Sequence, residues 1–313
     1  MNILVTGGAG FIGTHIALEL KRLEHRVVLV DFEDKFTEFH KENFKTCGAD
    51  ISVYEQLEPL ERFDIIYHCA AQSCGYISQV RPTADADWNV KGTLNVCRFA
   101  RRSGVKKIIY TSSMAVYGEG EYSKESDEPK PLSNYGVSKL AGEFYIKMFS
   151  QYNIDYTIFR LFNTYGPGQD LKNTRQGIVS VFLAQSINGA KINVTGALSR
   201  YRDIIHVSDV VRAMSMALEG MSSETYNLCT NQKTTVKELI DLILLAHDKD
   251  AGEFVIENIG RHEGDQHGSV GDNSKLKALG WSPKVNLGDG IRDFYAHSKN
   301  IKSRDESWRK LVS

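Results

Sequence analysis

A glycine-rich turn joins a short apolar strand to a helical pattern at the start of the chain. The apolar residues 3–5 lead directly into the segment TGGAGFIG at residues 6–13. In such a segment Gly7 permits a tight turn, Gly10 lets the backbone approach a pyrophosphate, and Gly13 allows helix and strand to pack closely. The free N–H groups and positive dipole end of the helix favour a bound phosphate. The feature therefore predicts a dinucleotide-binding βαβ unit.

An acidic residue ends the second strand-like run. Asp31 follows Val27 to Val30 and lies eighteen residues after Gly13. A carboxylate at this position accepts hydrogen bonds from the ribose hydroxyls and repels a 2′-phosphate. The sequence therefore predicts NAD rather than NADP as the cofactor.

Strand-like runs alternate with helical patterns through the first half of the chain. The helical patterns begin near Phe11, Trp88 and Tyr135. The strand-like runs cover residues 3–5, 27–30, 65–69, 108–111 and 157–161. This alternation predicts an α/β fold with a doubly wound parallel sheet of the Rossmann type. The pattern loosens after about residue 165 into helices mixed with short strands, which predicts a smaller C-terminal α/β lobe.

The length of 313 residues suits two domains. We expect residues 1–165 to bind NAD and carry the catalytic residues, and residues 166–313 to bind the substrate. No Pro- or Gly-rich linker separates the two parts, so the boundary is expected to be interleaved.

Composition narrows the classes of partner. A formal charge of −1 with 42% hydrophobic and 25% charged residues is typical of a globular protein and gives no general attraction to nucleic acid. The five cysteines contain no CxxC pair, which favours a reducing compartment over a disulfide framework. The chain starts on a strand-like run without a signal-peptide pattern, and no apolar run is long enough to span a membrane. We expect a cytoplasmic protein.

Six further segments accompany the glycine turn in order along the chain. They are DI at 50–51, HCAAQ at 68–72, NVKGTLNV at 89–96, YTSSMAVYG at 110–118, YGVSK at 135–139 and RLFNTYGP at 160–167. With these segments the chain resembles the extended short-chain dehydrogenase/reductase superfamily, in its nucleotide-sugar epimerase and dehydratase branch. The resemblance extends over nearly the whole chain. It implies an NAD-dependent enzyme of carbohydrate metabolism that acts on a nucleotide-diphosphate sugar, with a role in polysaccharide biosynthesis.

The glycine turn, Asp31 and this resemblance together predict the residues that bind NAD. Asp50 and Ile51 are expected near the adenine, and Phe162 beside the nicotinamide. The complete predicted set is Gly7, Gly10, Phe11, Ile12, Gly13, Asp31, Asp50, Ile51, Ala70, Ala71, Gln72, Asn89, Thr111, Tyr135, Lys139 and Phe162.

The predicted catalytic residues are Ser113, Tyr135 and Lys139. Tyr135 and Lys139 are four residues apart and share one face of a helix. A tyrosine with its ordinary pKa of about 10 is a poor base, but a nearby ammonium favours the phenolate. We therefore expect Tyr135 to have a lowered pKa and to accept a proton from a sugar hydroxyl. The resemblance implies that Lys139 also binds the nicotinamide ribose and that Ser113 orients the substrate.

Two apolar residues after the serine narrow the chemistry. Dehydratases of this branch carry Asp and Glu where this chain has Met114 and Ala115. Dehydration is therefore disfavoured, and the sequence predicts a 4-epimerase (an isomerase) that oxidises C4 transiently and returns hydride to either face. The alternatives left open are a 2-epimerase, a 4-dehydrogenase or a 4-ketoreductase on another nucleotide-activated sugar. A dinucleotide-binding regulator without turnover is disfavoured because both Tyr135 and Lys139 are present.

The resemblance also implies the residues that bind the sugar nucleotide, and it predicts no metal. Asn163, Arg202 and Arg261 are expected at the diphosphate and Asp265 at the ribose, although His262 stands where many relatives have the arginine. Ser269 is expected to flank the sugar, where a small residue leaves room for a 2-acetamido group. The predicted substrate is a UDP-hexose or UDP-N-acetylhexosamine.

Two helical segments carry apolar stripes. They are residues 89–100 and 135–149. In the family that the chain resembles, the corresponding helices pair across a two-fold axis into a four-helix bundle. We therefore expect a homodimer.

Overall fold

A computed structural model describes residues 1–173, 177–247, 251–260 and 267–312. Within these ranges the strands are β1 Asn2–Thr6, β2 Arg26–Asp31, β3 Lys45–Gly48, β4 Ile65–His68, β5 Lys107–Ser113, β6 Gly120–Ser123, β7 Asp155–Leu161, β8 Asn163–Tyr165, β9 Lys191–Val194, β10 Tyr201–Arg202, β11 Ile204–His206, β12 Glu224–Leu228, β13 Thr234–Thr235, β14 Val255–Asn258 and β15 Gly268–Gly271.

The α-helices are α1 Phe11–Arg22, α2 Glu38–Asn43, α3 Tyr54–Leu57, α4 Gly75–Val80, α5 Pro82–Ala86, α6 Gly92–Ser103, α7 Asn134–Phe149, α8 Ile178–Asn188, α9 Val207–Met216, α10 Val236–Leu245, α11 Ser274–Ala278, α12 Leu287–Ser298 and α13 Arg304–Val312. A single π-helical turn, Asp87–Lys91, precedes α6. No helix within the described ranges has the length and apolar character required to cross a membrane.

A seven-stranded sheet organises the first half of the chain. Its strand order is β12, β7, β5, β4, β1, β2, β3, and the pairings from β7 to β3 are parallel. The central strands β4 and β5 are buried along their whole length, and β1 is buried after its first residue, which explains their continuous apolar runs. The order reverses between β1 and β4, and ligands of such sheets bind outside the carboxyl ends of the strands at this point. The predicted doubly wound Rossmann sheet is confirmed.

The chain divides into two compact units whose segments alternate along the sequence. The first unit contains Met1–Tyr117, Glu128–Leu161 and Val211–Tyr226. The second contains Gly118–Asp127, Phe162–Val210 and Asn227–Ser313. The division of roles between residues 1–165 and 166–313 stays a prediction.

Each unit has its own apolar core. In the first unit the core joins apolar residues of the sheet, including Leu4 and Ile108, to Val96 and Phe99 of α6 and Ile146 of α7. In the second unit the strands form small sheets, one with the order β13, β10, β15, β6 and two pairs, β11 with β8 and β14 with β9. Apolar residues of α8, α10 and α12 pack on this unit's strands.

Candidate active site

The glycine turn provides a phosphate site lined by backbone atoms. Gly7 has a φ of +68°, and a side chain on Gly13 would collide with the carbonyl oxygen of Gly7. Gly10 is the N-cap of α1 and contributes no side chain, and the first turn contains no acidic residue. The N–H groups of Phe11 and Ile12 at this helix end are therefore suited to bind a pyrophosphate. These features fit the predicted dinucleotide.

Asp31 lies beside this turn at the end of β2. Its Oδ2 accepts a hydrogen bond from the N–H of Ala9 at 3.0 Å, and its Oδ1 accepts one from Phe32 at 2.9 Å. The carboxylate is thus held against the glycine turn, the position expected of a ribose ligand. Asp50 and Ile51 follow β3, the next strand along the sheet. Ile51 is buried, and its carbonyl oxygen accepts a hydrogen bond from Asn95 at 3.0 Å.

The segment after β4 lies on the other side of the glycine turn. A side chain on Gly7 would collide with the backbone of Ala70, so these two segments are in close contact. Gln72 and Asn89 exchange two hydrogen bonds, from Gln72 N–H to Asn89 Oδ1 at 2.8 Å and from Asn89 Nδ2 to the Gln72 carbonyl oxygen at 2.9 Å. Thr111 of β5 donates a hydrogen bond to the His68 carbonyl oxygen at 3.2 Å. The structure therefore places Ala70, Ala71, Gln72, Asn89 and Thr111 around the ends of β4 and β5.

Ser113 and Tyr135 are brought together by the start of α7. Ser133 caps this helix by accepting a hydrogen bond from the Gly136 N–H at 3.1 Å, which places Tyr135 in the first turn. Gly136 lies against the Ala115 carbonyl oxygen so closely that a Cβ would collide with it. The hydroxyl of Ser113 is close enough to act on Tyr135, and it lowers the pKa of the tyrosine. The two predicted residues therefore lie near the carboxyl end of β5, and their catalytic roles stay a prediction.

Lys139 lies one helical turn after Tyr135 and is buried. Its Nζ is 4.2 Å from the centroid of the Tyr110 ring, a cation–π contact. Burial lowers the pKa of Lys139 to about 7, although Cys69, Glu143 and Asp85 act to raise it. The ammonium of Lys139 is therefore poised to lose its proton near neutral pH.

The structure corrects the expectation of a lowered tyrosine pKa. Burial raises the pKa of Tyr135 to about 12, and the nearby Ser113 hydroxyl offsets only part of this effect. The negative charge of Asp85 and the nearby Cys74 raise the pKa further. The protein groups alone therefore keep Tyr135 protonated at neutral pH, because burial disfavours the phenolate.

A buried ion pair beneath the site was not predicted from the sequence. The Arg160 guanidinium of β7 donates to both carboxylate oxygens of Glu143 on α7, at 2.9 and 2.8 Å. The hydroxyl of Ser112 donates to Glu143 Oε1 at 2.6 Å. The pair connects α7 to the ends of β5 and β7. Its sequence signals are a charged residue inside an apolar strand, Arg160, and an acidic residue four positions after Lys139.

The second unit contains the remaining predicted site residues. Phe162 is buried and donates its N–H to the Leu228 carbonyl oxygen at 3.1 Å. Asn163 donates its side-chain Nδ2 to the Asp203 carbonyl oxygen at 2.9 Å. Arg202 and Ser269 are register partners in adjacent parallel strands, β10 and β15. The predicted residues Arg261 and Asp265 lie outside the described residues.

Arg202 and Ser269 are both buried in this second unit. Nη1 of Arg202 donates to the carbonyl oxygens of Tyr201 and His267 at 2.7 and 3.2 Å. Burial, with the charge of Arg200, lowers the pKa of Arg202 to about 10, so its guanidinium is cationic at neutral pH. Among the described residues the Ser269 hydroxyl has no hydrogen-bond partner. In the same part of the chain, no three His, Cys, Asp or Glu side chains are arranged to hold a metal ion.

Comparisons with known proteins agree with this site. A model of the NAD-dependent epimerase/dehydratase family matches residues 3–229. A putative UDP-glucose 4-epimerase of Methanocaldococcus jannaschii is 36% identical over 309 residues, which cover 95% of this chain and 98% of that protein. Other matches include UDP-glucuronic acid decarboxylases of Arabidopsis thaliana and a dTDP-D-glucose 4,6-dehydratase of Mus musculus.

Solved structures resemble the chain along its length. UDP-glucose 4-epimerase of Thermotoga maritima with UDP-glucose superposes with a TM-score of 0.87 at 33% identity and covers 100% of both chains. The complex of Thermus thermophilus UDP-glucose 4-epimerase with NAD gives a TM-score of 0.88 at 30% identity, over 96% of this chain and 100% of that one. The predicted resemblance to the extended short-chain dehydrogenases/reductases is confirmed. The chain is an NAD-dependent enzyme that belongs to the NAD-dependent epimerase/dehydratase family.

Proposed function

We propose that the protein is a nucleotide-sugar 4-epimerase that acts on a UDP-hexose or UDP-N-acetylhexosamine. The observation that carries the proposal is the grouping of Ser113 at the end of β5 with Tyr135 in the first turn of α7 and the buried Lys139 one turn further along that helix. Met114 and Ala115, which follow the serine, provide no acid or base for dehydration. Ser113, Tyr135 and Lys139 can therefore support reversible oxidation of an alcohol. Positions 114 and 115 lack the acid and base that elimination of water would need.

Tyr135 would take the proton of the C4 hydroxyl while Ser113 orients that hydroxyl. The glycine turn and Asp31 would hold NAD, which would supply the hydride acceptor and a positive ring that lowers the pKa of Tyr135. Lys139, as an ammonium, would stabilise the phenolate and hold the ribose. Tyr135 would return the proton when the intermediate is reduced on the opposite face.

The choice of substrate rests on the second unit and on the relatives. Arg202 supplies a buried cation suited to a diphosphate. Two of the similar proteins are named UDP-glucose 4-epimerases. The small Ser269 is the reason for including an acetamido sugar, and Asn163, Arg261 and Asp265 stay predicted substrate ligands.

A panel of nucleotide sugars tests this function. We expect UDP-glucose or UDP-N-acetylglucosamine to be converted into its C4 epimer with no net change in absorbance at about 340 nm. Net formation or consumption of NADH would instead indicate a dehydrogenase or ketoreductase. Conversion at C2 would indicate a 2-epimerase. If UDP-, GDP- and CDP-sugars were all left unchanged, the proposal would be wrong.

The carboxylate of Asp31 should determine the choice of cofactor. In Asp31→Asn the side chain keeps one oxygen for Ala9 but loses the charge that binds the ribose hydroxyls. We expect NAD to bind about tenfold more weakly than it binds to the wild type. The preference for NAD over NADP should also be smaller, because the carboxylate that repels the 2′-phosphate is gone. Titration calorimetry of nucleotide-free protein measures both affinities. Asp34→Asn, which alters an exposed carboxylate three residues away, should change neither, and unchanged binding in Asp31→Asn would contradict the assignment.

We also propose that the enzyme works in the cytoplasm, in polysaccharide biosynthesis. We further propose that it is a homodimer whose subunits pair through α6 and α7. Val137, Phe144 and Met148 lie along α7 at spacings of seven and four residues, and they are 53%, 64% and 46% exposed. Residues at these spacings share one helix face. A contiguous apolar face of this kind is typical of a subunit interface.

A charged residue on this face should separate the subunits. We expect Phe144→Asp to convert a dimer into a monomer of 35.1 kDa, because the substitution would bury a carboxylate without a partner. Size-exclusion chromatography with light scattering measures the mass. Leu245→Asp on α10, where the leucine is 74% exposed, serves as the control and should not change the mass. A monomeric wild type, or a Phe144→Asp variant with the wild-type mass of a dimer, would contradict the proposal.

A further inference from the structure

Asp85 is a buried carboxylate near the catalytic residues that the proposed reaction does not use. It lies on α5 and is 1% exposed. Its Oδ1 accepts hydrogen bonds from Gln72 Nε2 at 2.8 Å and Asn89 Nδ2 at 3.1 Å. Within the described residues no Lys or Arg nitrogen lies within ion-pair distance of it. The carboxylate is therefore held by neutral donors. Burial raises the pKa of Asp85, and the hydrogen bond from Gln72 and the charge of Lys139 oppose that rise.

These two donors come from separate segments of the site, and Asn89 also donates to the Ser138 hydroxyl at 3.0 Å. Gln72 belongs to the loop after β4, Asn89 to the π-helical turn, and Ser138 lies between Tyr135 and Lys139 on α7. Single π-turns within helices occur frequently at functional sites. Asp85 thus connects two predicted cofactor-binding residues with the helix that carries the proposed base.

The negative charge of Asp85 acts on Lys139 in surroundings that are otherwise neutral or compensated. His68 is uncharged, since burial lowers its pKa to about 3, and burial raises the pKa of the Cys69 thiol to about 12. The Tyr110 ring faces the ammonium, and burial raises the pKa of its hydroxyl. The carboxylate of Glu143 also acts on Lys139, but it accepts hydrogen bonds from Nε and Nη2 of the Arg160 guanidinium, which compensates its charge. Among the described groups that act on Lys139, Asp85 is therefore the carboxylate without a compensating cation.

We propose that Asp85 is a positioning residue whose buried negative charge stabilises the Lys139 ammonium and whose hydrogen bonds hold Gln72 and Asn89 at the cofactor site. The proposal rests on the assignment of Tyr135 as the base. It gives Asp85 two effects that one substitution can separate, because an asparagine removes the charge and can keep the hydrogen bonds.

The sign of the charge effect follows from electrostatics. A negative charge opposes loss of a proton from Tyr135 and from Lys139, and it raises the pKa of both groups. The two groups titrate as a coupled pair, so the pH profile reports on the pair. In D85N both the acidic and the alkaline limb of kcat/KM should move to lower pH, by about one unit. Retention of NAD should be unchanged, because Asn89 and Gln72 keep an oxygen acceptor.

The experiment measures kcat/KM against pH for the sugar nucleotide that the panel identifies as the substrate. D85E keeps the charge and should keep both limbs near their wild-type positions. D87N alters an exposed carboxylate two residues away and should have a wild-type profile. Asp85→Ser is a second neutral variant, and it should show the same shift as D85N if the amide disturbs the fold.

The possible outcomes separate this proposal from the proposed function. The proposal would be overturned if the pH profile of kcat/KM for D85N had both limbs at their wild-type positions. It would also be overturned if D85N lost activity equally at every pH without a shift of either limb. Failure of both neutral variants to fold would show a purely structural role and overturn it as well. An active Tyr135→Phe variant in the same assay would instead refute the assignment of the base, whatever D85N shows.

Discussion

Replacing Tyr135 with Phe should lower kcat by about 10²- to 10⁴-fold, the range by which a positioned acid or base accelerates a reaction. The substitution removes one oxygen, the proposed proton acceptor, and keeps the ring. The Phe variant therefore cannot take the C4 proton, while the glycine turn and Asp31 are unaltered. Activity is measured with the sugar nucleotide that the wild type converts, and bound NAD is quantified after denaturation of the protein.

Tyr145→Phe is the matched control for this experiment. Tyr145 lies on the same helix and packs against the core of the first unit, and its hydroxyl has no role in the proposed reaction. We expect this variant to have wild-type activity. If Tyr135→Phe retained turnover with its NAD bound, the base would have to be another group.

Replacing Glu143 with Leu should destabilise the first unit by about 3–5 kcal/mol. The substitution leaves the Arg160 guanidinium buried without its carboxylate and removes the acceptor for Ser112. Removal of one partner of a buried ion pair is costly because the remaining charge is far from water. Urea unfolding followed by circular dichroism measures the loss as a lower midpoint.

The double variant Glu143→Leu with Arg160→Met isolates the charge effect. Because it removes both charges and fills similar volume, we expect it to regain most of the lost stability. Glu61→Gln disrupts the exposed ion pair in which Arg26 donates two hydrogen bonds to the Glu61 carboxylate. It should lower the free energy of unfolding by less than about 1 kcal/mol. If Glu143→Leu and Glu61→Gln lowered the free energy of unfolding equally, burial of the Glu143–Arg160 pair would have no energetic consequence.

The sequence predicts the central strands and the long helices well, because burial imposes an apolar pattern on them. Residues 3–5 and 27–30 fall within β1 and β2, and α1 begins at Phe11 as expected. The short strands β3 and β6 were not predicted. Lys45 and Tyr122 are exposed, and backbone pairing stabilises such edge strands without an apolar signature. Their local residues therefore carry little information about the sheet.

The candidate site shows the same division between local and long-range information. The spacing of Tyr135 and Lys139 fixes their common helix face, and the glycine turn fixes the cofactor end of the sheet. The raised pKa of Tyr135 depends on burial by distant segments, which a motif does not reveal. Asp85 likewise has ordinary neighbours in the sequence and becomes significant only because the Gln72 side chain, from another segment, donates a hydrogen bond to it.

The alternation of the two units along the chain limits how such an enzyme can be recombined. The polypeptide passes from one unit to the other five times, after residues 117, 127, 161, 210 and 226. A chimera that exchanged only the second unit for that of a relative would need a compatible splice at every one of these passages. A single crossover would instead divide both cores. We therefore expect substrate preference in this architecture to evolve through point changes and loop exchanges, and not through the shuffling of whole modules.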